Sequence, residues 1–164
     1  MTSDARTITR SADETLAVAR TVGELLGPGD LVSLVGELGA GKTVFARGIA
    51  RALGITEPVV SPSFTIAREY EGRVPLVHID VYRIDTIQEL HDLGFEELVR
   101  DDAVTLVEWG DAVEALLPRE RLDARLHPGG VDEERVIELE GHGPRWHERA
   151  AQLSALEPAT RGST

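Results

Sequence analysis

The sequence predicts an α/β fold with a parallel-centred sheet, additional antiparallel strands and flanking helices. Residues 31–35, 76–80 and 103–107 are short, mainly apolar segments, which is typical of strands buried on both faces. Helical patterns lie between them, and this alternation of strand and helix favours a parallel sheet. Residues 66–70 and 122–139 lack crossover helices, so we expect them to supply the antiparallel strands.

The first half of the chain begins with a short strand expected at residues 7–9. Ser11 and Glu14 then form a capping-box pattern, which predicts a helix that starts beside Ser11. Gly27-Pro28-Gly29 ends this helix before the strand at 31–35. A second helix follows that strand and is expected to end at Gly54.

The second half of the chain has two further helices and a hairpin. Thr86 and Glu89 form another capping-box pattern, which predicts one helix with Leu90, Leu93 and Leu98 on one face. A short helix is expected at 111–117. The alternating apolar residues at 122–126 and 136–139, with Pro128-Gly-Gly130 between them, predict a hairpin.

The length of 164 residues predicts one globular domain over 1–141, followed by a loosely helical or disordered extension over 142–164. The chain has no cysteine, which excludes disulfides, thiolate metal sites and a cysteine nucleophile. No apolar run approaches the roughly 20 residues needed to span a bilayer. The first residues do not resemble a signal peptide, and the expected location is the cytoplasm.

The net charge of −12 argues against direct binding of nucleic acid across the whole surface. A nucleic-acid interface needs a positive footprint to displace counterions from phosphates. We therefore expect no DNA and no membrane as partners. If RNA is involved, a partner protein is expected to hold it.

The most informative segment reads Gly36-x-x-x-x-Gly41-Lys42-Thr43 and follows the strand at 31–35. This is the spacing of a phosphate-binding loop (P-loop), and it stands in the strand–loop–helix context that such a loop requires. Glycines let the backbone N–H groups point at phosphate oxygens, and the helix that follows adds its positive end. The predicted nucleotide-binding residues of the loop are Glu37, Leu38, Gly39, Ala40, Gly41, Lys42 and Thr43.

Lys42 is the only lysine in the chain, and every other basic side chain apart from histidine is an arginine. A lysine ammonium is a compact point charge, whereas an arginine guanidinium is a planar fork. In a P-loop, the lysine contacts the β- and γ-phosphates and the threonine hydroxyl binds Mg²⁺. Lys42 is therefore a predicted catalytic residue, and Thr43 is a predicted metal ligand.

Asp80 and Glu108 each end an apolar strand. Ligands of open α/β sheets bind beyond the carboxyl ends of the strands, where two carboxylates can hold Mg²⁺ and orient an attacking water. Both acids are predicted catalytic and metal-binding residues. Which of them contacts the metal and which activates water stays open at this point.

Other candidates surround this core set. The hydroxyl-rich segment 61–65 resembles a switch segment of nucleotide hydrolases, with Thr65 as the candidate sensor of the γ-phosphate. Trp109 is a candidate for stacking on a base or meeting a partner. Ser11 is mainly a helix cap, with a nucleotide contact as its alternative role, and His78 is most simply a core histidine.

Four motifs in this order resemble the TsaE family, also called YjeE: GELGAGKT (36–43), SPSFT (61–65), HIDVYR (78–83) and VEW (107–109). The loop motif is generic, whereas the later three motifs in this order are quite specific. The resemblance extends from about residue 11 to residue 140, so the segment 142–164 lies outside it.

This resemblance implies an Mg²⁺-dependent ATPase of the P-loop NTPase fold that is required to form threonylcarbamoyladenosine in tRNA. It implies the partner proteins TsaD and TsaB, contact with tRNA only through their complex, and hydrolysis that resets the complex between turnovers. It assigns Mg²⁺ to Thr43 and Glu108, a Walker-B-like role to Asp80, and the switch hydroxyl to Thr65. It also makes Trp109 necessary for activity.

Two other functions fit the same residues. A small-molecule kinase would use the P-loop for phosphoryl transfer, with a lid formed by Arg119, Arg121 and Arg125, which are otherwise a solvated face. A nucleotide-gated adaptor would bind ATP with negligible hydrolysis. A GTPase is disfavoured, because guanine recognition commonly needs a second lysine in an Asn-Lys-x-Asp motif.

Overall fold

The computed structural model describes residues 2–37, 39–60, 67–81, 87–92, 94–108 and 114–156. Within these ranges the chain forms a single sheet of seven strands. The strands are Thr2–Thr9 (β1), Leu31–Gly36 (β2), Ala67–Tyr70 (β3), Leu76–Asp80 (β4), Val104–Glu108 (β5), Arg121–Pro128 (β6) and Arg135–His142 (β7).

The sheet has the strand order β1-β7-β6-β2-β5-β4-β3. Its four central strands, β6, β2, β5 and β4, are mutually parallel. Antiparallel strands complete both edges, with β7 and β1 on one side and β3 on the other. The predicted α/β class, with a parallel centre and antiparallel additions, is confirmed.

The helices of the described ranges are short to medium in length. They are Ala12–Glu24 (α1), Lys42–Ala52 (α2), Ile87–Asp92 (α3), Phe95–Leu98 (α4), Pro144–Glu148 (α5) and Ala150–Ser154 (α6). None of them combines the length and the apolar character that a bilayer-spanning helix needs.

The predicted helix cap by Ser11 at the start of α1 is confirmed, and Glu14 reaches back as expected, to the N–H of Arg10. The Ser11 hydroxyl accepts a hydrogen bond from the Glu14 backbone N–H at 3.1 Å. The Glu14 carboxylate in turn accepts one from the Arg10 N–H at 3.1 Å. The Ser11 hydroxyl therefore satisfies one N–H of the first helical turn, and the Glu14 carboxylate holds the residue just before the cap.

Two sequence-based boundaries differ from the structure. β1 runs over eight residues rather than 7–9, because Thr2 through Thr9 all pair with β7. Its inward side carries Ala5, Thr7 and Thr9, so its apolar signal is weak. The single helix expected after Thr86 is instead α3 and α4, separated by Gly94 at φ +79°, a backbone conformation that favours glycine.

Each face of the sheet has its own hydrophobic cluster. The larger one packs α1, α2 and α6 against the sheet and includes Leu34, Phe45, Ile49, Leu122 and Leu153. The smaller one lies on the opposite face and includes Leu31, Ile79, Phe95, Val107 and Leu117. Because the central strands are covered on both faces, their ends are held in fixed relative positions.

The segment after β7 is helical through Ser154 and packs on the larger cluster. Trp146 is fully buried there. Asp30, also buried, accepts hydrogen bonds from the guanidinium groups of Arg145 at 2.6 Å and Arg149 at 2.9 Å. The bond to Asp30 raises the pKa of Arg145. The division into a domain of 1–141 and an extension of 142–164 stays a prediction.

Candidate functional site

The described residues of the loop between β2 and α2 depend on glycine at three positions. Gly39 and Gly41 adopt φ values of +83° and +101°, a region that residues with a Cβ rarely occupy. A Cβ on Gly36 would lie 2.7 Å from the Leu126 carbonyl oxygen, so the loop leaves the sheet where only glycine fits. α2 begins at Lys42, with Gly41 as its N-cap. The helix therefore directs its positive end at the loop.

Lys42 is buried, and its ammonium group folds back over the loop. Its Nζ donates hydrogen bonds to the carbonyl oxygens of Gly36 and Glu37, the second at 3.1 Å. The charge of the only lysine is thereby held against the loop. Thr43, the next residue, lies in the first turn of α2 and is partly buried.

Arg135, at the start of β7, reaches the same loop from across the sheet. Its Nε and Nη2 atoms donate to the carbonyl oxygens of Ala40 and Gly39, each at 3.0 Å. Arg135 carries no sequence signal for this contact, because it is 92 to 99 positions away from the motif and has no motif of its own. We assign it to the support of the loop.

Ser11 lies near the same end of the sheet as Arg135. In the β1–β7 register, Thr9 is paired with Arg135, and Ser11 follows Thr9 by two residues at the start of α1. The described contacts of the Ser11 side chain are those of the helix cap. Its contact with a nucleotide stays a prediction.

Asp80 and Glu108 lie side by side at the carboxyl ends of β4 and β5. They are register partners, and Glu108 is also the register partner of Leu34 on β2, two residues before Gly36. Glu108 is buried, whereas Asp80 is partly buried. The strand order β2-β5-β4 therefore brings the P-loop and both acids to one edge of the sheet, the edge formed by the carboxyl ends of its parallel strands.

His78 is a fully buried neighbour of Glu108. Its Nε2 atom lies 3.6 Å from Glu108 Oε2. In the part of the chain that the structure describes, neither ring nitrogen has a hydrogen-bond partner. A core histidine without such a bond is unusual, because buried polar atoms are nearly always paired. His78 is in the core as expected, but its position beside Glu108 connects it to the site.

Three of the predicted site residues lie outside the described ranges: Leu38, Thr65 and Trp109. Their predicted roles stay predictions. Glu37 lies within the described ranges and is exposed. Its backbone carbonyl accepts a hydrogen bond from Lys42.

Two of the three arginines proposed as a kinase lid lie on β6 in ion pairs. Arg121 is buried on β6, where its guanidinium bonds Asp123 at 2.9 Å and Glu114 at 3.1 Å. Arg125 lies on the same strand and pairs with acids of the hairpin. Arg119 is exposed before β6. Arg121 and Arg125 thus belong to a central strand, and Arg121 is fixed there by its hydrogen bonds.

Comparison with known proteins decides the family. The family model described as "Threonylcarbamoyl adenosine biosynthesis protein TsaE" matches residues 9–137. The chain belongs to the TsaE family. This result confirms the resemblance inferred from the four motifs, and the model covers the loop, both strand-end acids and Arg135.

Individual TsaE proteins are similar to this chain over most of their length. The chain is 44% identical to the Bacillus subtilis protein named tRNA threonylcarbamoyladenosine biosynthesis protein TsaE, over 89% of this chain and 91% of that one. It is 40% identical to the Streptomyces coelicolor protein of the same name, over 85% of this chain and 97% of that one.

The fold is likewise shared with a solved structure. The crystal structure of Bacillus subtilis YdiB superposes with a TM-score of 0.79 at 38% sequence identity, covering 93% of this chain and 95% of that one. Since both chains are covered almost completely, the α/β sheet described above is the shared fold.

Proposed function

We propose that this TsaE family protein binds ATP and Mg²⁺ and hydrolyses ATP during formation of threonylcarbamoyladenosine in tRNA. The observation that supports the proposal is the meeting of the P-loop, Glu108 and Asp80 at one edge of the sheet. A loop alone would bind phosphate, whereas two acids on the adjacent strand ends add the groups that hydrolysis requires.

The side chains at this edge suit Mg²⁺ in their chemistry. Thr43 offers a hydroxyl, and Glu108 and Asp80 offer carboxylates, which are the hard oxygen donors that Mg²⁺ prefers. Following the family resemblance, Thr43 and Glu108 would hold the ion, and Asp80 would act as the Walker-B-like acid. Bound Mg²⁺ would neutralise charge on the phosphate oxygens.

Lys42 and the loop would hold the phosphates. The Lys42 ammonium rests on two loop carbonyls, and a phosphate with a full negative charge is a stronger partner for it than a neutral carbonyl. We infer that Lys42 transfers from Gly36 and Glu37 to the phosphates when ATP binds. Its burial strengthens that attraction, because water screens buried charges less.

The acids would orient the attacking water. A buried carboxylate such as Glu108 holds a water or a metal-bound ligand in a defined place, since the packed strand fixes its backbone. His78 packs against Glu108 within 3.6 Å, where it limits the positions open to that carboxylate. Asp80 would complete the arrangement from β4.

The proposed partners are TsaD and TsaB, with tRNA reached only through their complex. The net charge of −12 supports docking on a basic protein surface rather than on RNA. Hydrolysis would reset the complex between turnovers. Because the switch residue Thr65 is proposed to need ordering by a partner, hydrolysis by the chain alone would be slow.

ATP hydrolysis by the purified chain, alone and with the cognate TsaD–TsaB pair, tests this function. We expect phosphate release to rise when the pair is added, and the pair without the chain to give no comparable release. If ATP binds but the pair does not stimulate its hydrolysis, the proposal is wrong. Transfer of phosphate to a small molecule would instead support a kinase, and binding without any turnover would support an adaptor.

Arg135→Ala is expected to weaken ATP binding about tenfold, because two charge-assisted hydrogen bonds to the loop are lost. Isothermal titration calorimetry with ATP and Mg²⁺ measures the effect. Arg125→Ala is the matched control, since Arg125 lies on the same hairpin but pairs with Asp123 and Glu140. Equal affinities in the two variants would show that Arg135 does not support the loop.

A further inference from the structure

A second cluster of metal-type side chains lies away from the P-loop, on the β6–β7 hairpin. Asp123 on β6 is the register partner of Glu140 on β7, and His142 follows Glu140 by two residues on the same strand. Leu122 and Leu139, their neighbours in sequence, face the larger hydrophobic cluster. Because side chains alternate along a strand, the three polar residues share the opposite face of the sheet.

The three side chains converge on one point. His142 Nε2 lies 3.0 Å from Asp123 Oδ2 and 2.9 Å from Glu140 Oε1. One ligand atom from each residue falls within 4.8 Å of the other two. A ring nitrogen carries at most one proton, so it cannot give a full hydrogen bond to both carboxylates. Two carboxylate oxygens gathered around one imidazole nitrogen form a donor set that a metal ion can share.

We propose that Asp123, Glu140 and His142 bind a divalent transition-metal ion of the zinc class. A set of one imidazole nitrogen and two carboxylate oxygens suits Zn²⁺ or Co²⁺, whereas Mg²⁺ and Ca²⁺ prefer oxygen donors alone. Two carboxylates balance the charge of such an ion. This metal site is distinct from the proposed ATP site, and the proposal does not depend on ATP binding.

Arg121 supplies the support that a metal-binding carboxylate needs. Its Nε donates to Asp123 Oδ1 at 2.9 Å, which leaves Oδ2 directed at His142. Arg121 is itself held by the Pro118 carbonyl at 3.0 Å and by Glu114 at 3.1 Å. Partners of this kind fix the orientation of ligands and strengthen metal binding. Asp123 is also buried, so its carboxylate is preorganised.

Arg125 competes with the ion for the same carboxylates. Its guanidinium nitrogens lie 3.6 Å from Asp123 Oδ2 and 3.6 Å from Glu140 Oε2. Both distances are beyond a good hydrogen bond, and the side chain is 38% exposed, so it can move outward. Without metal, Arg125 offsets part of the negative charge. Its removal should therefore strengthen metal binding, which a purely structural ion pair would not do.

The site is separate from the P-loop. Asp123 is the register partner of Ser33, three residues before Gly36 on β2, which corresponds to about 10 Å along the strand. An ion held by one ligand from β6 and two from β7 would crosslink the hairpin. The ion is thus expected to stabilise the fold without entering the nucleotide site.

Metal titration of the full chain, freed of metal and nucleotide, tests the proposal. We expect one Zn²⁺ per chain by calorimetry, and a visible absorption band when Co²⁺ binds. His142→Gln should lower the affinity at least tenfold. His127→Gln is the matched control, because His127 Nε2 contacts the single carboxylate of Glu138 at 2.9 Å on the same face. Glu140→Gln serves as a second ligand variant should His142→Gln not fold.

The outcomes separate a metal site from an ion-pair cluster. Binding that is lost in His142→Gln, kept in His127→Gln and strengthened in Arg125→Ala would support the site. Absence of binding in the unaltered chain, equal losses in the two histidine variants, or weaker binding in Arg125→Ala would each overturn it. Zn²⁺ should also raise the unfolding temperature of the unaltered chain and leave that of His142→Gln unchanged.

Discussion

Replacing Lys42 with alanine is expected to remove ATP hydrolysis, with a loss on the order of 10²-fold to 10³-fold in rate. Lys42 is the only lysine of the chain and the buried cation of the loop. Without it, the charge on the β- and γ-phosphates is no longer neutralised when it develops further in the transition state. ATP affinity should also fall, because the lost contact is charge-assisted.

Calorimetry and a phosphate-release assay with the TsaD–TsaB pair measure the two effects of Lys42→Ala. Lys42→Arg is the informative comparison, since it keeps the charge but replaces a point charge by a planar fork. We expect Lys42→Arg to be nearly as inactive as the alanine variant. Full activity of Lys42→Arg would contradict the argument that the single lysine is retained for its shape.

Glu108→Gln is expected to lower hydrolysis by about 10²-fold to 10³-fold while ATP still binds. Glutamate and glutamine side chains have nearly the same shape, so the packing against His78 at the end of β5 is kept. What is lost is the negative charge that would hold Mg²⁺ or orient the attacking water. The expected result is therefore a change in turnover with little change in affinity.

The control for Glu108→Gln is Glu97→Gln, which removes an exposed carboxylate on α4. The control should hydrolyse ATP at the unaltered rate. Asp80→Asn, made in parallel, separates the two strand-end acids: the variant whose affinity for Mg²⁺ falls identifies the metal ligand. If Glu108→Gln kept the unaltered rate, the assignment of Glu108 to the chemistry would be wrong.

The centre of the sheet was predictable because its strands are short, apolar and each followed by a distinctive residue. Residues 31–35 lead into Gly36, and 76–80 ends in Asp80. Parallel strands bring their carboxyl ends to one edge, so the meeting of the loop and the acids follows from topology alone. Residue spacing therefore carried most of the information about the site.

The outer strand β1 and the residue that supports the P-loop were harder to predict. β1 carries threonines and charged residues, and its full length depends on pairing with β7, which is far away in sequence. Arg135 contacts the P-loop through backbone carbonyls. Carbonyl contacts leave no residue pattern, because every residue offers the same carbonyl. The cluster of Asp123, Glu140 and His142 is likewise created by strand register rather than by a motif.

Multiple-turnover formation of threonylcarbamoyladenosine in a reconstituted reaction tests the proposed function most directly. The reaction contains TsaD, TsaB, tRNA, a threonylcarbamoyl donor and ATP, with either the unaltered chain or Glu108→Gln. We predict many modified tRNAs per complex with the unaltered chain and no more than about one with Glu108→Gln, because the complex would not reset. Equal multiple turnover with both proteins would contradict a role for hydrolysis and favour a nucleotide-gated adaptor.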